Sequence, residues 1–162
     1  MRFPCRRIIW DPCYRIISSR YPQIDLFERI ADPADWEALI ELEAMTNDRI
    51  RDEVGHIHLV APDERVSGPG ASFIMAAFTH LNPEGSRFSN GSYGVFYAAK
   101  DLDTTIRETC YHHERHLRHT PNPQRMELEM RVLTAHLDGE LHDLRGLKDT
   151  HPELYDPLEL AI

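Results

Sequence analysis

The chain is short of several things, and each shortage narrows what it does. Among its 18 lysines and arginines only Lys100 and Lys148 are lysine, a bias that a GC-rich genome produces without any functional cause. Acidic residues outnumber basic ones and the formal net charge is −9, which argues against a nucleic-acid surface, because phosphate contacts need clustered cations. No apolar run approaches the roughly 18–20 residues of a membrane span. The first residues carry Arg2, Arg6 and Arg7 but no apolar stretch of signal-peptide length, so a bacterial cytoplasmic location is expected. The cysteines number 3, Cys5, Cys13 and Cys110, without C-x-x-C spacing, which points to reduced and mostly buried thiols. P-loop, G-x-G-x-x-G and nucleophile-elbow patterns are missing too, leaving kinase, Rossmann dehydrogenase and serine hydrolase readings unsupported.

What remains fits one α+β domain spanning 1–162, a mixed sheet with flanking helices and an N-terminal helical segment. A short strand is expected at Cys13–Ile17. Asp32-Pro33 reads as a helix start, with the helix running to about Asp52 and carrying Asp35, Glu37, Glu41 and Glu43 on a solvated first half. Ala71–Leu81 reads as a buried helix, 82–93 as a Gly-, Ser- and Asn-rich loop, and Val95–Ala99 as a short buried strand. Asp101 or Asp103 caps a helix reaching about His119. Met126, Leu128, Met130 and Val132 alternate with charged residues as in a half-buried strand, Asp138-Gly139 signals a turn, and Leu141–Leu144 suggests a further strand.

The chemistry concentrates between Gly85 and Glu108. Arg87 sits beside Phe88 in a polar loop, Tyr97 ends an apolar stretch, and Glu108 lies on the next helix. A cation, an aromatic ring and a carboxylate together suit a ligand with phosphates, a flat ring and a ribose, as in a dinucleotide. On the bare sequence Glu108 is equally a solvent-facing helical glutamate, Tyr97 a core tyrosine, Arg87 an exposed loop residue, Arg15 half of an ion pair, and Phe88 a packing residue. His112, His116 and His119 share a helical face with Glu108 at steps of four, four and three. His113-Glu114-Arg115-His116 is one residue short of H-E-x-x-H, so zincin geometry fails and no metal site is expected. Cys110, about 200° round the helix from Glu108, is expected to pack away from it.

The loop Gly85-Ser86-Arg87-Phe88, the stretch Gly94-Val95-Phe96-Tyr97 and the helix start Thr104-Thr105-Ile106-Arg107-Glu108 resemble the RES domain family, as does Tyr14-Arg15 on the first strand. The resemblance covers roughly residues 13 to 157. It implies a fold similar to ADP-ribosyltransferase toxins that consumes NAD as substrate, held silent by a partner Xre-like antitoxin. It further implies catalytic roles for Glu108, Tyr97 and Arg87, with Arg15, Arg87 and Tyr97 contacting the dinucleotide. The expected activity is cleavage of the nicotinamide–ribose bond and transfer of ADP-ribose to a protein acceptor. Water or phosphate as acceptor, and a catalytically silent antitoxin-binding protein, are the alternatives. The family's third namesake, a serine downstream of the glutamate, has no counterpart, since no serine follows Ser92; the chain is accordingly expected to lack the C-terminal part of the family domain.

Overall fold

Two long strands, β1 (Cys5–Ser18) and β2 (Met130–His142), pair antiparallel from Cys5 opposite His142 to Ser18 opposite Met130. This computed structural model describes residues 3–19, 35–44, 55–83, 85–86, 88–119 and 125–155. The ladder shifts register between Trp10 and Cys13, where Pro12 has no N–H to donate. Helix α1 spans Trp36–Ala44, α2 Ala71–Thr79 and α3 Leu102–His119. Helices together with an antiparallel two-stranded sheet make the chain α+β. Among the described residues no helix is long and apolar enough to cross a membrane.

The chain divides into two compact units. The first joins Met1–Pro22 to Tyr97–Arg145, and the second joins Gln23–Phe96 to Gly146–Ile162.

The first unit is the ribbon and α3. The strand expected at Cys13–Ile17 is the inner part of the longer β1. Asp138-Gly139, expected as a turn, lies inside β2 opposite Ile9 and Ile8, where pairing with β1 overrides the local turn preference of the dipeptide. The alternation at Met126–Val132 becomes strand only from Met130, since β1 ends opposite that residue. Of its apolar side chains Met130 is half-buried as expected, whereas Met126, Leu128 and Val132 are exposed, at 42%, 44% and 46%. Of the separate strand expected at Leu141–Leu144, Leu141 and His142 are the end of β2 and Leu144 lies beyond it, with the Asp143 amide donating to Pro4 O at 2.7 Å. Among the described residues Val95–Ala99 forms no strand, and it pairs through an isolated bridge between Ala99 and Tyr14.

The second unit holds the buried apolar cluster. Trp36 and Met75 are buried outright, with Ile57, Val60 and Ala71 around them and Ile40 and Phe78 packed alongside. Asp32-Pro33 and the expected end of the first helix near Asp52 lie outside the described residues. Asp35 and Glu41 are exposed, as a solvated acidic face requires. Helix α2 stops at Thr79 rather than Leu81, where His80 turns extended. Arg65 is buried and donates from Nε to Val60 O at 2.9 Å, tying down the turn after Ile57–Leu59. No sequence spacing marks that arginine.

Candidate functional site

Around Gly85 and Ser89 the described residues are tied by local hydrogen bonds. The Gly85 amide donates to Asn82 O at 2.8 Å and the Asn82 side-chain amide returns a bond to Gly85 O at 2.7 Å. Ser89 is buried; its carbonyl accepts from the Ser86 amide at 2.7 Å and its hydroxyl accepts from the Gly91 amide at 3.1 Å. Gly85 has φ +73°, and a Cβ there would stand 2.6 Å from Ser89 O, so both conformation and space demand glycine. Gly94 is required for a different reason: a Cβ would fall on the backbone of Ala77 and Phe78. Both motif glycines therefore have a steric cause within the second unit. Arg87 itself lies outside the described residues. Phe88, expected to pack, is 36% exposed.

Within the first unit the structure brings together pieces far apart in sequence. Tyr14 and Ala99 exchange backbone hydrogen bonds of 2.8 and 2.9 Å. One residue along β1, Arg15 donates from Nη1 to the carbonyl oxygen of Tyr97 at 3.1 Å. Burial lowers the Arg15 pKa from its ordinary value, yet a guanidinium keeps its charge at neutral pH. Tyr97 is 38% exposed at the start of the link to α3.

That link is fixed at both ends, by the Ala99 bridge and by the helix cap. Asp101 takes a 2.8 Å bond from the Thr104 amide and a 2.9 Å bond from the Thr104 hydroxyl, the N-cap expected of it. These bonds hold its carboxyl below the usual carboxylate range. One residue on, Thr105 is buried, its hydroxyl donating to Asp101 O at 3.0 Å and lying 3.5 Å from Tyr14 O. Thr105 therefore marks the side of α3 that packs on β1. Glu108 stands one turn later and about 60° round the helix from Thr105, beside the packed face. Its side chain is exposed. The first unit thus assembles a half-buried cation, an accessible aromatic ring and a solvated carboxylate on β1, the capped link and α3.

The other candidates resolve differently. His112 and His116 are exposed, and the His119 side chain lies outside the described residues. His112 meets the Tyr111 ring edge-on with centroids 5.4 Å apart. Among the described residues no group of three or more His, Cys, Asp or Glu is placed to hold a metal. Cys110, expected to pack, is exposed on α3, and Cys5 is exposed as well; only Cys13 is buried, where mostly buried thiols were expected. Cys5 is in hydrogen-bond contact with His142 at 3.3 Å, a pairing that its sequence neighbours do not signal.

Comparison with known proteins places these features. Residues 63–160 match the RES domain family. The uncharacterized protein y4oC of Sinorhizobium fredii (strain NBRC 101917 / NGR234) is 32% identical over 137 residues, covering 85% of this chain. The chain spans 58% of that relative's length. No solved structure matches.

Proposed function

The chain belongs to the RES domain family, which is associated with NAD-related enzymatic activity, and from that membership we propose that it consumes NAD by breaking the nicotinamide–ribose bond. The observation that carries the reading is the contact of Arg15 with the Tyr97 carbonyl beside the capped start of α3, which sets the family's Tyr-Arg pair, its tyrosine and its glutamate helix in one compact unit.

Departure of nicotinamide leaves positive charge on the ribose, as leaving-group departure does in glycoside hydrolysis. In this reading the Glu108 carboxylate faces that charge and accepts hydrogen bonds from ribose hydroxyls. Tyr97 stacks on the nicotinamide ring. Arg15 and Arg87 are each assigned a phosphate contact, where a guanidinium makes charge-assisted bonds. The acceptor of ADP-ribose is a protein side chain, and the chain acts in the cytoplasm as the toxin of a toxin–antitoxin pair. Its partner is an Xre-like antitoxin that blocks the NAD site. A fold similar to ADP-ribosyltransferase toxins belongs to the same proposal.

Incubation with NAD labelled in its adenine half, with and without cell extract, tests the reading. Nicotinamide release with label on protein is expected. Label found only as free ADP-ribose or ADP-ribose phosphate would transfer the assignment to a glycohydrolase or a phosphorylase. No nicotinamide release from the antitoxin-free chain, with antitoxin binding retained in a separate assay, would leave a silent binding protein.

A further inference from the structure

The far end of the ribbon from Arg15 carries a second chemistry that the NAD reading does not use. Cys5 and His142 are direct cross-strand partners, a position that brings side chains within contact on one face of the sheet. The Cys5 thiol and His142 Nδ1 lie 3.3 Å apart and both residues are exposed. Their placement is fixed by backbone, since the Asp143 amide donates to Pro4 O at 2.7 Å and closes the ribbon immediately beyond the pair. The imidazole is further braced by the Phe3 ring, edge-on with centroids 6.1 Å apart. Besides the imidazole, the thiol has the Phe3 carbonyl oxygen 3.9 Å away, a weak acceptor. The neighbouring carboxylate is committed elsewhere: Asp143 accepts from Arg145 Nε at 2.7 Å and Nη2 at 2.5 Å, with the Arg6 charge also favouring its ionised form. Among the described residues, the base in hydrogen-bond contact with the thiol is therefore His142.

We infer that Cys5 and His142 form a reactive thiol site that exchanges with low-molecular-weight disulfides. The imidazole accepts the thiol proton, Cys5 Sγ attacks one sulfur of the disulfide, and the S–S bond of the reagent breaks. A mixed disulfide forms on Cys5, and the departing thiolate takes the proton back from His142 as a free thiol. No net oxidant is needed beyond the disulfide itself, and a reducing thiol reverses the step.

The chain supplies its own controls. Cys13 is buried on β1 and Cys110 is exposed on α3, so exposure alone predicts equal reaction of Cys5 and Cys110. Oxidised glutathione is the probe, with adducts assigned to each cysteine by peptide mass. At pH 7 Cys5 is expected to react about tenfold or more faster than Cys110, the scale of modest general-base assistance. His142→Gln should bring the Cys5 rate down to that of Cys110. At pH 9.5 exposed thiols ionise without a base, so the His142→Gln and parent rates should converge, which a change in exposure would not produce. Equal rates for Cys5 and Cys110 in the parent chain would overturn the assignment without any variant. So would a His142→Gln rate unchanged at pH 7, or one that stays depressed at pH 9.5.

Discussion

The Trp36 cluster and the β1–β2 ribbon hold together by different means. Around Trp36 the apolar side chains are shut away from water, and Met75, Ile57 and Val60 complete an enclosed patch. Along the ribbon Ile9 is 59% exposed, and Val132 and Leu141 also face solvent. What supports the ribbon is its backbone ladder, the packing of α3 through Thr105 against Tyr14, and single side-chain anchors such as Arg15 on Tyr97. A two-stranded ribbon alone is marginal in water, so the helix against β1 matters. The difference has a chemical consequence. A structure carried by backbone pairing leaves many side chains within reach of solvent, and Tyr97, Glu108, Cys5 and His142 are all exposed within that unit.

Substitutions that remove side-chain volume sharpen the contrast most. Trp36→Ala deletes a fully buried ring and is expected to destabilise by about 3–5 kcal/mol, whereas Val132→Thr should stay within about 0.5 kcal/mol. Urea unfolding of both variants checks this; comparable losses would mean that the ribbon also depends on side-chain burial.

The next effect falls on activity rather than stability. Glu108→Gln keeps the shape of an exposed side chain and should leave the unfolding midpoint within error of the parent. If Glu108 faces the developing ribose charge, nicotinamide release should drop by about 100- to 1,000-fold, the scale of losing one electrostatic stabiliser. Undiminished release in that variant would remove Glu108 from the proposed chemistry.

A smaller effect is expected at the cap. Asp101→Ala strips two bonds from Thr104 at the start of α3. Helix content by circular dichroism and the melting temperature should both fall, and Asp101→Asn, which can still accept from the Thr104 amide, should recover most of the loss. Equal loss in the two variants would assign the role of Asp101 to its charge instead of its capping geometry.

Local signals in the sequence carried over well where a local cause governs the structure. Asp101 caps α3 because its carboxylate needs only Thr104, three residues away. Gly85 and Gly94 are legible as motif glycines, and their reasons prove to be steric. Features decided by distant residues were not legible. Asp138-Gly139 has turn chemistry, but Ile8 and Ile9 lie opposite and draw it into β2. The alternation from Met126 to Val132 marks extended chain, not which side chains a partner will cover. Cys5 meets His142 across 137 positions, and Arg15 reaches Tyr97 across 82, separations no motif spacing encodes. Membership of the family supplied the second pairing's elements in advance; nothing supplied the first.

The smallest expected effect concerns acid. Arg7 grips Asp138 on the opposite strand with bonds of 2.9 and 2.8 Å, holding that carboxyl below its usual range. At the closed end Arg145 holds the Asp143 carboxyl down to about 2. A carboxyl whose folded-state pKa is depressed stabilises the fold above its unfolded value, here 3.8, and the gain is lost as pH falls through the lower folded value. Ribbon stability should therefore be flat from pH 7 to about 5 and decline only below about 4, extending towards 2 for Asp143. Both arginines are solvent-exposed and neither carboxylate is buried, so the decline should be shallow and further flattened by added salt. Arg7→Gln should remove the Asp138 part of the slope while leaving that of Asp143, as followed by amide exchange along β2 against pH. A steep acid transition unaffected by Arg7→Gln would mean that some other group, and not this cross-strand ion pair, governs the ribbon.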